Sequence, residues 1–483
     1  MRRTPAQAKA ELERRYNARL AAKRKRNDRL FKSGGFLALF LAMTLLTVGL
    51  AIRTPEEHTS HPIYSGNTLE QTSSEASSEE PGENSRPIRM TNSKNLMEGI
   101  TPMSVTKKNP DDTFITAQMD FAVKLLQQSL KKDGAKGALV SPLSAQLCLA
   151  MVANGANGET LGEMEKVLGG DLSLEQLNAY LSAYAESLPS TEKTKLILNN
   201  GIWFKEGYPF YTDFLQTNAD YYGAALYQAP FTKETMEADL GEINDWVNTN
   251  TDGMIPKLFE ELDEHTVMVL INTLLFDGTW ETGYDPEDVM DGIFYSYSGK
   301  EQTVTMMTSI ESLYFADENA KGFLKYYDGK DYAFAAILPK EGTDILEYAN
   351  SLTGASLQSL LAKQKETEVF VRLPKFKFEY SIDLKPVLTD MGMPSAFMEG
   401  LADFSQMSPV RSLYIGEVVQ KTAIRLSPAG TKAAAATGVG MDDYGIINSS
   451  LQSYIILNRP FVYMILDTKT NLPLFIGVMT EMA

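Results

Sequence analysis

Three histidines, one cysteine and two serine–lysine pairs are the side chains of this 483-residue sequence with the reactivity for catalysis. His58 and His61 lie in a polar stretch, and His265 stands alone between Glu264 and Thr266. No G-x-S-x-G turn occurs anywhere, so a Ser-His-Asp nucleophile has no frame, and His265 reads as an exposed loop residue. Ser104-Val-Thr-Lys107 and Ser129-Leu-Lys-Lys132 have the S-x-x-K spacing of acyl-transferring enzymes. The companion K-T-G is missing, its nearest approach being Lys421-Thr422-Ala423. Ser129 is expected at the frayed end of an amphipathic helix. Cys148 lies inside the apolar run Leu147 to Val152 and has no second cysteine to bond, so it reads as a small buried hydrophobe. There is no H-E-x-x-H, no paired-cysteine motif and no phosphate loop, and Gly155-Ala-Asn-Gly158 is too short for a dinucleotide fingerprint. We therefore expect no catalytic residues, no metal, no cofactor and no enzyme.

The most informative stretch carries no reactive group. It runs Gly430-Thr-Lys-Ala-Ala-Ala-Ala-Thr-Gly-Val-Gly440 and follows a strand-like segment. Four alanines alone would suggest a helix or linker. In an extended chain, however, alternate side chains share a face. If Thr431 points inward, so do Ala433, Ala435, Thr437 and Val439, all small or β-branched, while Lys432 takes the other face. No proline occurs from Ala429 to Asn458, so no ladder donor is missing. One face of such an arm carries only small or β-branched side chains.

The elements that must position this arm come from the rest of the chain. Apolar residues make up 43% and the formal net charge is -17. Twelve Lys/Arg against three Asp/Glu between Met1 and Gly35 give that segment +9, which leaves -26 for the remainder. An acidic body excludes the basic footprint of a nucleic-acid binder. Phe36 to Ile52 is an uncharged run of 17 residues behind Lys23-Arg24-Lys25-Arg26. Hydropathy and the positive-inside rule predict a transmembrane helix at 36–52, a cytoplasmic segment at 1–35 and an extracellular remainder, with a cleaved signal peptide as the alternative. The Ser/Glu/Pro-rich composition of 53–112 predicts a disordered tether. Residues 113–483 read as one α+β domain. Phe114 to Lys131 has helical periodicity, and Ser141-Pro142 has the form of a helix start. Val267–Phe276, Tyr332–Leu338, Glu368–Leu373, Leu413–Leu426, Tyr454–Leu457, Phe461–Leu466 and Leu474–Met479 read as strands.

With these blocks in order, the chain resembles the serpins. The blocks are Ser141-Pro-Leu-Ser144 followed by LAMVANGANGETLGEM, then Asn200-Gly-Ile-Trp-Phe204, INDWVNTNTDGMIPKLF and VLINTLLFDGTW ending at Trp280. Met306-Met307, LPKFKFEYSIDLKPVLTDMGMPSAF, ADFSQMS, LYIGEVVQKTAI and NRPFVYMILDTKTNLPLFIG complete the series, and the alanine run looks like the hinge of an inhibitory member. The resemblance implies a large central β-sheet, a helical N-terminal half, further sheets and an exposed reactive loop near the C-terminus. It implies that a serine or cysteine protease attacks the loop, and that the cut arm inserts into the sheet and traps the acyl-enzyme. On that pattern Gly430, Thr431, Ala433, Ala434, Ala435, Ala436 and Thr437 match the hinge. Ser141, Ser144 and Asn272 match a shutter beneath the opening strands, with Gln420 where animal members often have His, and Trp280 matches the breach where insertion begins. The acidic pair that commonly precedes the hinge glycine is Pro428-Ala429 here. Counting the family's loop length puts the cut at Tyr444-Gly445, which suits chymotrypsin-like proteases, with Met441 and Leu451 as alternatives. The partner would be a serine protease acting on a monomer. A non-inhibitory binding protein of the same fold, and an anchored acyltransferase of penicillin-binding type, are the competing readings.

Overall fold

The computed structural model describes residues 90–263, 265–431 and 453–482, all within one unit, Pro62–Ala483. In chain order its first strands are β1 (Lys94–Asn95), β2 (Ala138–Val140), β3 (Thr194–Lys205), β4 (Ala225–Ala229), β5 (Met268–Thr279), β6 (Val289–Tyr295), β7 (Glu301–Ala316) and β8 (Ala320–Tyr326). There follow β9 (Tyr332–Pro339), β10 (Lys365–Pro374), β11 (Phe376–Asp383), β12 (Glu417–Ser427), β13 (Gly430–Thr431), β14 (Ser453–Ile456), β15 (Phe461–Asp467) and β16 (Pro473–Met479). Seven strands form one sheet in the order β1-β4-β3-β5-β13-β12-β11; the other sheet runs β14-β10-β7-β8-β9-β15-β16-β2, with β6 added on β7. The expected α+β architecture is thus observed.

Two helices matter for the site. Helix α1 (Asp112–Asp133) begins where Asp111 accepts the Phe114 N–H and buries Phe114, Phe121, Leu125 and Leu126. Ser129, expected at a frayed end, is fully buried, because the helix continues to Asp133 and the Ser129 hydroxyl donates to the Leu125 carbonyl at 2.8 Å. Helix α2 (Pro142–Ala153) starts as its sequence predicts, with Ser141 at the cap and proline in the first turn, and all of its residues are buried. Cys148 is buried here, as read, and burial pushes its thiol above the ordinary range.

Two expectations are corrected. The single-pass, extracellular placement is overturned: among the described residues no helix is long and apolar enough to cross a membrane. The run Phe36–Ile52, which carried that expectation, lies outside the described residues, as do residues 1–35. Composition predicts a tether to residue 112, but from residue 90 the chain is built into the fold. β1 pairs antiparallel with β4, extending the sheet by one strand. Glu242 on helix α3 (Met236–Asn250) accepts the backbone N–H groups of Thr91, Asn92 and Ser93. Polar composition misled here because the partner lies about 150 residues away.

Burial alone would raise the Glu242 carboxyl, but the Asn92 and Thr91 amides outweigh it and hold it below the ordinary value. A lowered folded value means that the clasp is at full strength above the ordinary carboxylate range, about 4.3. It is lost as pH falls through the lower folded value. Glu242→Ala should accelerate hydrogen exchange at the Thr91–Ser93 amides by about tenfold or more at neutral pH. Unchanged protection there would show that the clasp is held by β1 alone.

Candidate hinge and sheet-opening site

The seam between β5 and β12 is the centre of the site. The two strands run parallel and pair at four positions, from Glu417 opposite Val269 to Gln420 opposite Asn272. Above that point the described pairing stops, and it resumes only where β13 sits between them. Thr431 there faces Leu426 on β12 and Gly278 on β5, while Gly430 faces Ser427 and Thr279. The first two residues of the expected hinge are therefore already seated between the strands.

Local chemistry explains the seat. Ser427-Pro428-Ala429-Gly430 is a tight turn with proline at its second position, and the Ser427 hydroxyl donates to the Gly430 carbonyl at 2.8 Å. Gly430 has a φ of +151°, and a Cβ there would lie 2.0 Å from the Gly278 carbonyl oxygen, so only glycine fits. Thr431 is 2% exposed and shares a 2.6 Å hydrogen bond between its hydroxyl and that of Tyr327, so its side chain faces inward. Burial pushes the Tyr327 phenol far up and keeps it neutral.

Trp280 holds the turn from below. Its indole N–H donates to the Ser427 carbonyl at 2.9 Å and its backbone N–H to Ala429 at 3.0 Å; the Tyr284 N–H donates to Pro428 at 3.0 Å. The indole stacks on Tyr327 with ring centres 4.5 Å apart. Lys325 lies over the rings of Trp280 and Tyr284, 5.4 and 4.6 Å from their centres, and pairs with Glu311 at 2.8 Å; both charges are buried. Lys325→Met should cost about 3–5 kcal/mol, because Glu311 is left buried and unpaired. Adding Glu311→Gln should recover most of the loss in melting temperature. A single variant as stable as the parent would mean that Glu311 finds water.

At the lower end of the seam, Gln420 ties both strands to helix α2. Its Oε1 accepts the Ser141 N–H at 3.0 Å, and its Nε2 donates to the Ser141 carbonyl at 2.9 Å and to Asn272 Oδ1 at 2.7 Å. Asn272 Nδ2 donates in turn to Asn200 Oδ1 at 3.0 Å. The structure thus brings Ser141, Asn272 and Gln420 together. Ser144 is buried one turn further on, and its hydroxyl, like that of Ser141, makes no hydrogen bond. Ala433, Ala434, Ala435, Ala436, Thr437, Met441, Tyr444, Gly445 and Leu451 lie outside the described residues. Asn200, Tyr327, Lys325 and Glu311 were not singled out from the sequence. Asn200 opened one of the quoted blocks, whereas nothing local marks a lysine as buried beneath a tryptophan.

The catalytic alternatives do not assemble. Ser129 spends its hydroxyl on its own helix, and Lys132 points to the Asp383 carbonyl at the surface. Ser104 is exposed and Lys107 pairs with Glu186. His265 is exposed, as read. No cluster of metal-ligating side chains occurs among the described residues.

A sheet whose strands β5 and β12 are parted at one end by the seated pair Gly430–Thr431 defines a class, and the serpin (serine protease inhibitor) family model matches residues 116–482. The chain belongs to the serpin family. It is 30% identical over 381 residues to an uncharacterized serpin-like protein of Thermococcus kodakarensis, covering 78% of this chain and 88% of that one. It is 30% identical over 384 residues to serpin B3 of Homo sapiens, covering 75% and 97%. Among solved structures, the thermophilic serpin tengpin in its native state matches with a TM-score of 0.76 at 44% identity, over 81% of this chain and all of that one. Tengpin in its latent state gives 0.68 at 42%, over 78% and 100%. Thyroxine-binding globulin in complex with thyroxine gives 0.68 at 25%, over 77% and 99%.

Proposed function

We propose that the protein is a suicide-substrate inhibitor of serine proteases, acting by inserting its cleaved arm between β5 and β12, and is not itself an enzyme. The observation that carries this reading is the seated pair Gly430–Thr431. Continued downward in the same antiparallel register, Ala433 would fall between Ile424 and Phe276, Ala435 between Thr422 and Leu274, and Thr437 between Gln420 and Asn272. The side chains of these six strand positions are all buried. Lys432 would fall between Arg425 and Asp277, neither of which is buried. The inward series Thr431, Ala433, Ala435 and Thr437 therefore meets the buried face with small side chains and leaves the charge outside.

In this reading the protease serine attacks the Tyr444 carbonyl, the bond to Gly445 breaks, and the new amine leaves with a proton. The acyl-enzyme then travels with the arm before water reaches the ester. Ser141, Asn272 and Gln420 form the tie that must open, and Trp280 with Tyr327 sets where threading begins. Tyr444 in the primary position suits a chymotrypsin-like enzyme. A binding role without trapping is the second reading, favoured by the likeness to thyroxine-binding globulin, whose structure holds thyroxine.

Incubation of the purified full chain with chymotrypsin-like proteases separates the two. An SDS-stable covalent complex, with a released fragment beginning at Gly445, supports trapping; Tyr444→Ala should abolish it. Cleaved chain without complex leaves the binding reading.

A further inference from the structure

We infer that Arg372 on β10 is the binding site of a small oxyanion, a carboxylate or a phosphate, held beside β14. The site uses neither the hinge nor the seam, so it stands apart from the inhibitor reading. Among the described residues Arg372 is half-buried, makes no ion pair, and donates no hydrogen bond from its side chain; its Nε is buried without a partner. The other described arginines differ. Arg411 pairs with Asp403, Arg459 donates to the Pro339 carbonyl, and Arg425 is exposed. A charge taken out of water normally has a partner to replace its hydration. Burial alone pulls the Arg372 guanidinium below its ordinary value, with no carboxylate acting on it. The chain has 62 Asp and Glu, so this lack does not come from a shortage of acids.

The surroundings define the ligand. Arg372 lies opposite Thr308 of β7 and Ile456 of β14. Its guanidinium ends beside Gly292 of β6, where a Cβ would lie 3.4 Å from Nη2 and 2.6 Å from Met306 Cγ. Glycine there gives the guanidinium and Met306 room against the β6 backbone. Two residues back on the same face of β10, Phe370 is buried, and its ring lies 5.8 Å from that of Tyr454 on β14. Met306, Thr308, Phe370 and Ile456 carry no charge, and their low dielectric strengthens whatever the guanidinium binds. The Nε–Nη edge of arginine matches two oxygens of one carboxylate or phosphate. A ligand that reaches a buried Nε has to be small. The Arg372 carbonyl also accepts the Leu457 N–H at 2.9 Å, and β14 is a four-residue edge strand paired with β10 alone. An anion that fixes Arg372 therefore steadies the end of β14.

The test uses the full chain in sodium acetate, sodium phosphate or sodium chloride at one pH and one ionic strength. At ten times the half-saturating concentration of acetate or phosphate, hydrogen exchange at the Leu457 amide should slow by about tenfold. The melting temperature should rise with the same saturation. Chloride should do neither. Arg372→Lys keeps the charge but loses the fork, and should lose most of the response. Arg372→Met should lose all of it, and without oxyanion should melt no lower than the parent, because an unpaired buried charge is gone. Acetate acting alone would assign a carboxylate ligand, and phosphate acting alone a phosphate. A parent that answers neither oxyanion, or answers chloride equally, would overturn the site. So would an Arg372→Met variant that responds as the parent does.

Discussion

On the proposed mechanism, arginine in place of Ala435 will turn the protein from a trap into a substrate. In the register set by Thr431, residue 435 reaches the slot between Thr422 and Leu274, which are 1% and 3% exposed. A guanidinium has no room there and no partner, and burying an unpaired charge costs several kcal/mol. Threading and hydrolysis compete for the same acyl-enzyme, and a barrier raised by only about 1.4 kcal/mol shifts that competition tenfold. The number of molecules consumed per protease inactivated should therefore rise by about tenfold or more, with cleaved chain accumulating. The cleavage step itself should keep its rate, because residue 435 is remote from Tyr444. Lys432→Arg, on the outer face, should change nothing. If Ala435→Arg still gives complexes at the parental stoichiometry, the arm does not thread in this register.

The second large effect is expected at Gln420. Leucine there fills a similar volume but removes one acceptor and one amide from Ser141 and Asn272, all of them buried. Three lost hydrogen bonds and the groups they orphan should cost about 3–5 kcal/mol. The melting temperature of the uncleaved chain should fall by about 4–6 °C, the entropy of unfolding being large for a domain of this size. Histidine restores part of the tie, since a neutral ring can accept from the Ser141 N–H and donate once. A protonated ring has no acceptor and would be a buried cation, so its folded pKa should lie below the ordinary value of about 6.5. The unfolded chain then binds more protons between the two values. The variant should be stable above pH ~6.5 and lose stability as pH falls toward the depressed folded value. Melting curves of Gln420→His and the parent between about pH 8 and pH 5.5 test this; curves that run in parallel would refute it. Gln420, Asn272, Asn200, Ser141 and Ser144 are all uncharged, so the native seam itself carries no such switch.

Much of this was legible in the sequence, and the misses share a cause. Short apolar runs with β-branched residues announced β9, β15 and β16 nearly to the residue, because burial on both faces leaves a continuous apolar signature. Ser141-Pro142 announced a helix start through local backbone chemistry. The strand expected at Leu413–Leu426 starts later than its sequence suggests. Ile415 instead donates to Ala396 and Gly416 to Met268, and the strand begins at Glu417. The tether boundary failed for the same reason, since Glu242 reaches residues 91–93 only in the folded chain. At the site, Ser141, Asn272, Gln420 and Trp280 were named from the resemblance, whereas Tyr327, Lys325 and Glu311 depend on β7 and β8 packing against the turn at Pro428. Contacts made between distant segments leave no local trace.

The two seated residues also settle a question of phase. Because side chains along an extended chain repeat every second residue, an arm that slipped by one position would turn Lys432 and Ala434 toward the interior. β5 and β12 already share the spacing that Gly430 and Thr431 impose, with Gln420 level with Asn272 below and Leu426 level with Gly278 above. Admitting a further strand thus calls for the two to part sideways, like a curtain, with no travel along their length. On the proposed mechanism, the hinge pair counts the first step before any peptide bond is broken, and the sequence that follows has only to keep time.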